Sequence, residues 1–161
     1  TLGVIDSDAG GSGNIANEPS GETAMFFLTG TAVLNYSAGF DTGFSFFYSS
    51  STVASVFVYD GLDATGNLLA TLDLTAQYSD NCSGDPSGDF CNWTAVGASF
   101  AGTAYSIDFG GTVNQIAYDD ITFGSATAGG GNDDPTPAPA PAGLALLGLG
   151  LALMSKKRIV K

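Results

Sequence analysis

Carboxylates are the charged side chains that this sequence supplies in number. Its 161 residues include 16 aspartates and glutamates against 4 lysines and arginines, with no histidine and two cysteines. Without histidine the commonest general base and the commonest zinc ligand are missing, so serine–histidine catalysis and ordinary zinc sites are excluded on inventory. Paired carboxylates can cleave a glycoside at separations of roughly 5 to 10 Å. No pair stands out for that role, and the basic residues Lys156, Lys157, Arg158 and Lys161 all lie at the C-terminal end. Residues 1–155 therefore hold no cation that could position a substrate or tune an acid. No catalytic residue is assigned, and a noncatalytic protein is expected. A net charge of −12 also repels phosphate backbones, whose binding needs clustered lysine and arginine, and this excludes nucleic acid as a partner.

Cation binding is the chemistry left to the carboxylates. Asp119 and Asp120 are adjacent within residues 115–123, a stretch with the composition of a strand. Side chains alternate along a strand, so one of the two is expected to face the core. A buried carboxylate without a partner protonates or finds a metal, because its desolvation is so costly. A structural calcium ion is the expected cofactor, since calcium accepts six to eight oxygen ligands. Asp120 is the first candidate ligand and Glu22 the second, with Asp119, Glu18, Asp6 and Asp8 as further oxygen donors. Asp60 and Asp63 stand in a glycine-rich turn, where turn formation alone accounts for their residue types. Among the aromatic residues, Trp93 with Tyr48, Tyr59, Tyr78 or Tyr105 is the candidate platform for a sugar ring.

The elements that must position these groups read as strands. Short β-branched or aromatic runs separated by glycine, serine, asparagine and aspartate fall at 24–28, 31–36, 43–48, 53–59, 68–74, 93–98, 104–109 and 115–123. In the run 104–109, Tyr105, Ile107 and Phe109 alternate with Ser106 and Asp108, one face apolar and one wet. The pattern predicts an all-β domain over residues 1–123, an antiparallel β-sandwich of jelly-roll type, with an immunoglobulin-like sandwich as the other topology. Residues 124–138 turn glycine-rich and then alternate proline with alanine, the composition of a linker. From Ala142 to Met154 no residue is charged, and Lys156, Lys157 and Arg158 follow. A helix over 142–154 reaches roughly 20 Å, short of the ~30 Å hydrocarbon core, which suits transient membrane association better than a permanent span.

Pro139, Ala140 and Pro141, the apolar run behind them and the basic cluster together resemble the PEP-CTERM sorting signal of proteins exported by Gram-negative bacteria. Ala140 stands where that family has its central glutamate. The segments ANEPSGETAMFF, GFSFFYSS and AYDDITFG look like the extracellular β-sandwiches attached to such signals. The resemblance implies recognition and cleavage by an exosortase-like membrane protease and release to the cell surface or an exopolysaccharide matrix. It also implies an N-terminal leader removed before Thr1. In an exported chain, Cys82 and Cys91 are expected to form a disulfide that closes the turn-forming loop between them, worth roughly 2.5 to 3 kcal/mol. The expected role is that of a noncatalytic surface or matrix protein, structural or adhesive, partnered by extracellular polysaccharide or by copies of itself. The alternative is a carbohydrate-binding module of jelly-roll type.

Overall fold

The computed structural model describes residues 2–5, 13–79 and 89–129. They form β1 (Leu2–Ile5), β2 (Thr23–Phe26), β3 (Ala32–Phe40), β4 (Gly43–Ser50), β5 (Ala54–Tyr59), β6 (Leu68–Leu74), β7 (Thr94–Ser99), β8 (Ala104–Phe109) and β9 (Ile116–Phe123). All eight expected strands are present, and β1 is an addition to them. No helix occurs among the described residues. The strands make a five-stranded sheet ordered β1-β2-β9-β4-β7 and a four-stranded sheet ordered β3-β8-β5-β6. Every strand pairing is antiparallel.

Alternation explains how the two sheets share one core. In β5, Ala54, Val56 and Val58 are buried while Ser55, Phe57 and Tyr59 face the other way, half-buried. In β4, Phe44, Phe46 and Tyr48 point inward to meet Phe109 of β8 and Tyr118 of β9. The Phe109 and Tyr118 rings lie 4.9 Å apart, edge to face, and Phe46 and Tyr118 lie 5.4 Å apart in the same manner. Such pairs add about 0.5–1.5 kcal/mol each beyond the area they bury. Leu72, Leu74, Ile107 and Ile116 fill the remaining space. Burial of this kind must carry the fold, because residues 1–155 have no lysine or arginine with which to form an ion pair.

Strict alternation fails in β9, and the expected core-facing aspartate fails with it. Ser45 pairs with Thr122 and Phe47 with Asp119, so Phe46 alone stands opposite Asp120 and Ile121. The extra residue is a β-bulge, and Asp120 takes the left-handed φ of 48° that aspartate tolerates better than most residues. The bulge resets the phase of β9. Tyr118 and Ile121 both pack into the core, while Asp119 and Asp120 turn away from it.

The outer face of the five-stranded sheet is covered as well. Ala117, on that face opposite Ser49, joins Ile15, Ala24 and Phe90 in a second apolar cluster, with Tyr78 and Trp93 packed against it. Backbone bonds hold the cover in place: the Ala16 N–H donates to the Phe90 carbonyl at 3.1 Å, and the Phe90 N–H to the Asn14 carbonyl at 2.9 Å. At the other end of the face, Gly124–Gly129 folds back over the sheet instead of leaving as a linker. The Gly124 N–H donates to the Gly43 carbonyl at 2.9 Å, and the Ser45 hydroxyl to the Ser125 carbonyl at 2.9 Å. Composition changes at Phe123, but packing continues to Gly129.

Candidate functional site

The bulge in β9 creates the most concentrated charge among the described residues. Asp119 and Asp120 converge on Ser20, which lies in the segment leading into β2. The Ser20 N–H donates to Asp119 Oδ2 at 3.1 Å, and the Ser20 hydroxyl donates to Asp120 Oδ1. Asp119 Oδ1 accepts from the Asp120 N–H at 2.7 Å, and the Asp120 carbonyl accepts from the Thr122 hydroxyl at 2.8 Å. Burial pushes the Asp119 carboxyl above the ordinary carboxylate range and the neighbouring Asp120 charge adds to this, against the two backbone N–H donors that pull it down.

The N-terminal segment does run beside β9, as the calcium expectation required, because β2 pairs with β9 through Met25 and Tyr118. What it brings to the aspartates is a serine. Glu22 is exposed and Glu18 half-buried, and Asp6 and Asp8 lie outside the described residues. Among the described residues no three histidine, cysteine, aspartate or glutamate side chains come together to hold a metal. The reason given for calcium, a carboxylate forced into the core, is overturned by the bulge. Ser20 gave no signal in the sequence, because its contacts span about a hundred positions of chain.

Asp60 and Asp63 serve the β5–β6 loop. Asp60 accepts from the Asn67 N–H at 2.6 Å and from the Asn67 amide at 2.8 Å, and these bonds hold its carboxyl below the ordinary range. Asp63 exchanges two hydrogen bonds with the Asn35 side chain, which ties the loop to β3. From beneath, Ser106 accepts from the Ala64 N–H at 3.0 Å and donates to the Gly61 carbonyl at 2.5 Å. Turn chemistry consumes both aspartates.

The aromatic candidates are dispersed. Trp93 packs over the second apolar cluster, and its indole N–H donates to the Ala16 carbonyl at 2.9 Å. Tyr78 leans on Phe90 with ring centres 5.4 Å apart. Tyr48 is buried, its hydroxyl accepting from the Thr75 N–H at 3.0 Å. Tyr59 and Tyr105 are half-buried on the four-stranded sheet. The most open ring is Tyr36, at 42% exposure, stacked 5.1 Å from Phe123. Beside the second cluster, Ile15, Phe26, Phe90 and Ile116 line a cleft of about 170 Å³ with Asn14 and Asn114 at its rim, smaller than the ~300–1,000 Å³ of ordinary ligand pockets.

Cys91 is buried, with its sulfur 3.6 Å from the Tyr78 carbonyl, and no described cysteine is free. Cys82 lies outside the described residues, as do Pro139, Ala140, Pro141, Lys156, Lys157 and Arg158. No helix among the described residues is long and apolar enough to cross a membrane. Fold and site together define an all-β protein of two antiparallel sheets in which Asp60, Asp63, Asp73, Asp119 and Asp120 are hydrogen-bonded to its own loops and strands. The sequence matches no protein-family model and no curated protein.

Proposed function

We propose that this chain is a noncatalytic protein exported to the cell surface or extracellular matrix, where an acidic jelly-roll domain has a structural or adhesive role. The observation that carries the reading is the employment of the carboxylates. Asp60 is held by Asn67, Asp63 by Asn35, Asp73 by Ser55, and Asp119 and Asp120 by Ser20, each closing a loop or joining strands. A glycoside-cleaving pair needs carboxyls presented to a substrate, and these are turned into fasteners.

The jelly-roll reading rests on the pairing pattern. β2 pairs with β9, β3 with β8, β4 with β7 and β5 with β6, first with last down to the middle. That is one long hairpin, rolled so that β4 also meets β9 and β5 also meets β8. Export rests on the resemblance of residues 139–161 to a PEP-CTERM signal, with an exosortase-like protease as the processing partner, and a Cys82–Cys91 disulfide belongs to the same reading. Fractionation of the native source, with mass spectrometry of the mature C-terminus, tests it. A surface or matrix protein ending between Thr136 and Ala142 is expected. A cytoplasmic protein that still ends at Lys161 and carries two free thiols sinks the reading.

A further inference from the structure

β7 is one edge of the five-stranded sheet, β1 being the other, and the backbone groups of β7 can be assigned a direction. It pairs with β4 residue by residue from Gly43 with Ser99 to Tyr48 with Thr94. The Phe100 N–H donates to the Thr42 carbonyl at 3.3 Å, which makes that position a hydrogen-bonded pair. Alternation in an antiparallel ladder then makes Phe44 with Ala98, Phe46 with Val96 and Tyr48 with Thr94 hydrogen-bonded pairs too. Ala95, Gly97 and Ser99 therefore aim their N–H and C=O groups away from β4. The other side of β4 agrees, because the Gly124 N–H donates to the Gly43 carbonyl and so directs the odd-numbered β4 residues toward β9.

Sheet edges are ordinarily blunted by lysine, proline, a bulge, an inward charge or a covering segment. β7, Thr94-Ala-Val-Gly-Ala-Ser99, has neither lysine nor proline, and its register with β4 is unbroken. Among the described residues, the outward groups of Ala95, Gly97 and Ser99 meet no backbone partner. The edges of the four-stranded sheet are different. β3 loses register between Asn35 and Phe40, and β6 carries Asp73. No charged residue lies between Asp89 and Asp108, so β7 carries no carboxylate of its own.

From these observations we infer that the β7 edges of two copies of this chain pair antiparallel about a two-fold axis at Gly97, joining two five-stranded sheets into one. Gly97 of one copy meets Gly97 of the other, and Ala95 meets Ser99, each pair exchanging two hydrogen bonds. A second copy is the fitting occupant for two reasons. The outward groups are disposed evenly about Gly97, so the edge is complementary to itself, and an equally anionic molecule can approach only where no carboxylates oppose one another. The side chains at 95 and 99 are small, and Gly97 between them carries the Ala126 backbone over its outer face. A single short edge buries less than the ~1,200 Å² of a stable interface, so the dimer is weak and strengthens with salt. This goes beyond the reading above and is independent of where the protein resides.

Sedimentation velocity on the full chain in a mild non-ionic detergent, across micromolar to millimolar concentration and at low and high salt, tests the inference alongside hydrogen exchange. A salt-strengthened monomer–dimer equilibrium is expected, with the Ala95, Gly97 and Ser99 amides slowing as the dimer forms. Ala95→Pro and Ser99→Pro each remove an outward donor without touching a bond to β4. Each is expected to weaken the dimer by about tenfold or more, a difference of ~1.4 kcal/mol. A monomer under all conditions overturns the inference, and so does a dimer whose three amides exchange as fast as in the monomer. Should either variant fail to fold by circular dichroism, the exchange measurement on the unaltered chain decides alone. A monomeric protein found at the cell surface would remove the edge pairing and leave the proposed function intact; a β7 dimer found in the cytoplasm would do the reverse.

Discussion

Asp119 carries a pH dependence whose sign follows from its surroundings. Burial raises its folded carboxyl above the ordinary value of 3.8, so protonation favours the folded state. The stabilising contribution is complete below pH 3.8 and is lost as pH rises through the folded value. Asp119→Asn removes the charge while keeping an oxygen for the Ser20 N–H. The variant is expected to melt higher than the unaltered protein at pH 7 in chelator, with the difference vanishing at acid pH. If a calcium ion instead satisfied the two aspartates, the same substitution in calcium would lower the melting temperature, so thermal melts in both media separate the cases. Trp93 permits a second test at this scale, because its ring covers the outer cluster and its N–H is bonded to Ala16. Trp93→Ala is expected to cost about 2 kcal/mol in denaturant unfolding, below the ~3–5 kcal/mol of a fully buried tryptophan. A polysaccharide pull-down that Trp93→Ala abolishes without any loss of stability would return the indole to a binding role. Spacing could nominate Asp119, Asp120 and Trp93 as residues of consequence. It could not supply Ser20 or Ala16, whose contacts depend on how remote segments are laid side by side.

At the scale of elements, Gly97 explains why β4 and β7 accept a cover. A Cβ at Gly97 would fall 2.0 Å from the Ala126 carbonyl oxygen, and one at Gly43 2.6 Å from the Ala126 nitrogen. These two glycines and Ser45 between them leave a shallow trough in which residues 125–126 lie. Gly97→Ala is expected to lift that segment from the sheet or to strain the pair, at about 1–3 kcal/mol, the range for overpacking. Faster hydrogen exchange of the Gly124 amide, with β5 and β8 unchanged, is the accompanying sign; an unaltered Gly124 amide and melting temperature would count against close seating. The strands themselves were legible because Val56 and Val58, Ile107 and Phe109, and Phe44 and Phe46 repeat at period two between turn residues. The cover over 124–129 was not, since Gly-Ser-Ala-Thr-Ala-Gly has the composition of a linker and is ordered by bonds to Thr42, Gly43 and Ser45 rather than by apolar side chains. The bulge escaped for a related reason. A left-handed φ at Asp120 leaves no trace in hydrophobic pattern, and with it went the phase that decides which way two adjacent aspartates point.

Over the whole molecule the governing quantity is uncompensated charge. Residues 1–155 contain 16 acidic residues and no basic side chain, so folding gathers carboxylates into a smaller volume with no internal cation to offset them. In most proteins added salt weakens attractive ion pairs as well as screening repulsion, and the net effect is small. Here only the repulsive term exists within the domain, which fixes the sign: raising ionic strength must stabilise. The Debye length falls from ~10 Å at 0.1 M to ~3 Å at 1 M, so most of the relief comes in that interval. A gain of about 1 kcal/mol is a reasonable share of a marginal stability, and in a domain of this size it raises the melting temperature by roughly 3–6 °C. Calorimetry in sodium chloride and in potassium chloride is expected to give the same rise at equal ionic strength, because screening does not depend on which monovalent cation supplies it. Calcium chloride at matched ionic strength then discriminates. A rise that saturates at micromolar calcium would reveal a discrete site on the acidic surface, whereas one that follows ionic strength alone belongs to screening. A melting temperature that falls or stays level from 0.1 to 1 M monovalent salt would show that carboxylate repulsion does not limit this fold, and would also remove the electrostatic reason for two copies to meet at their uncharged edges.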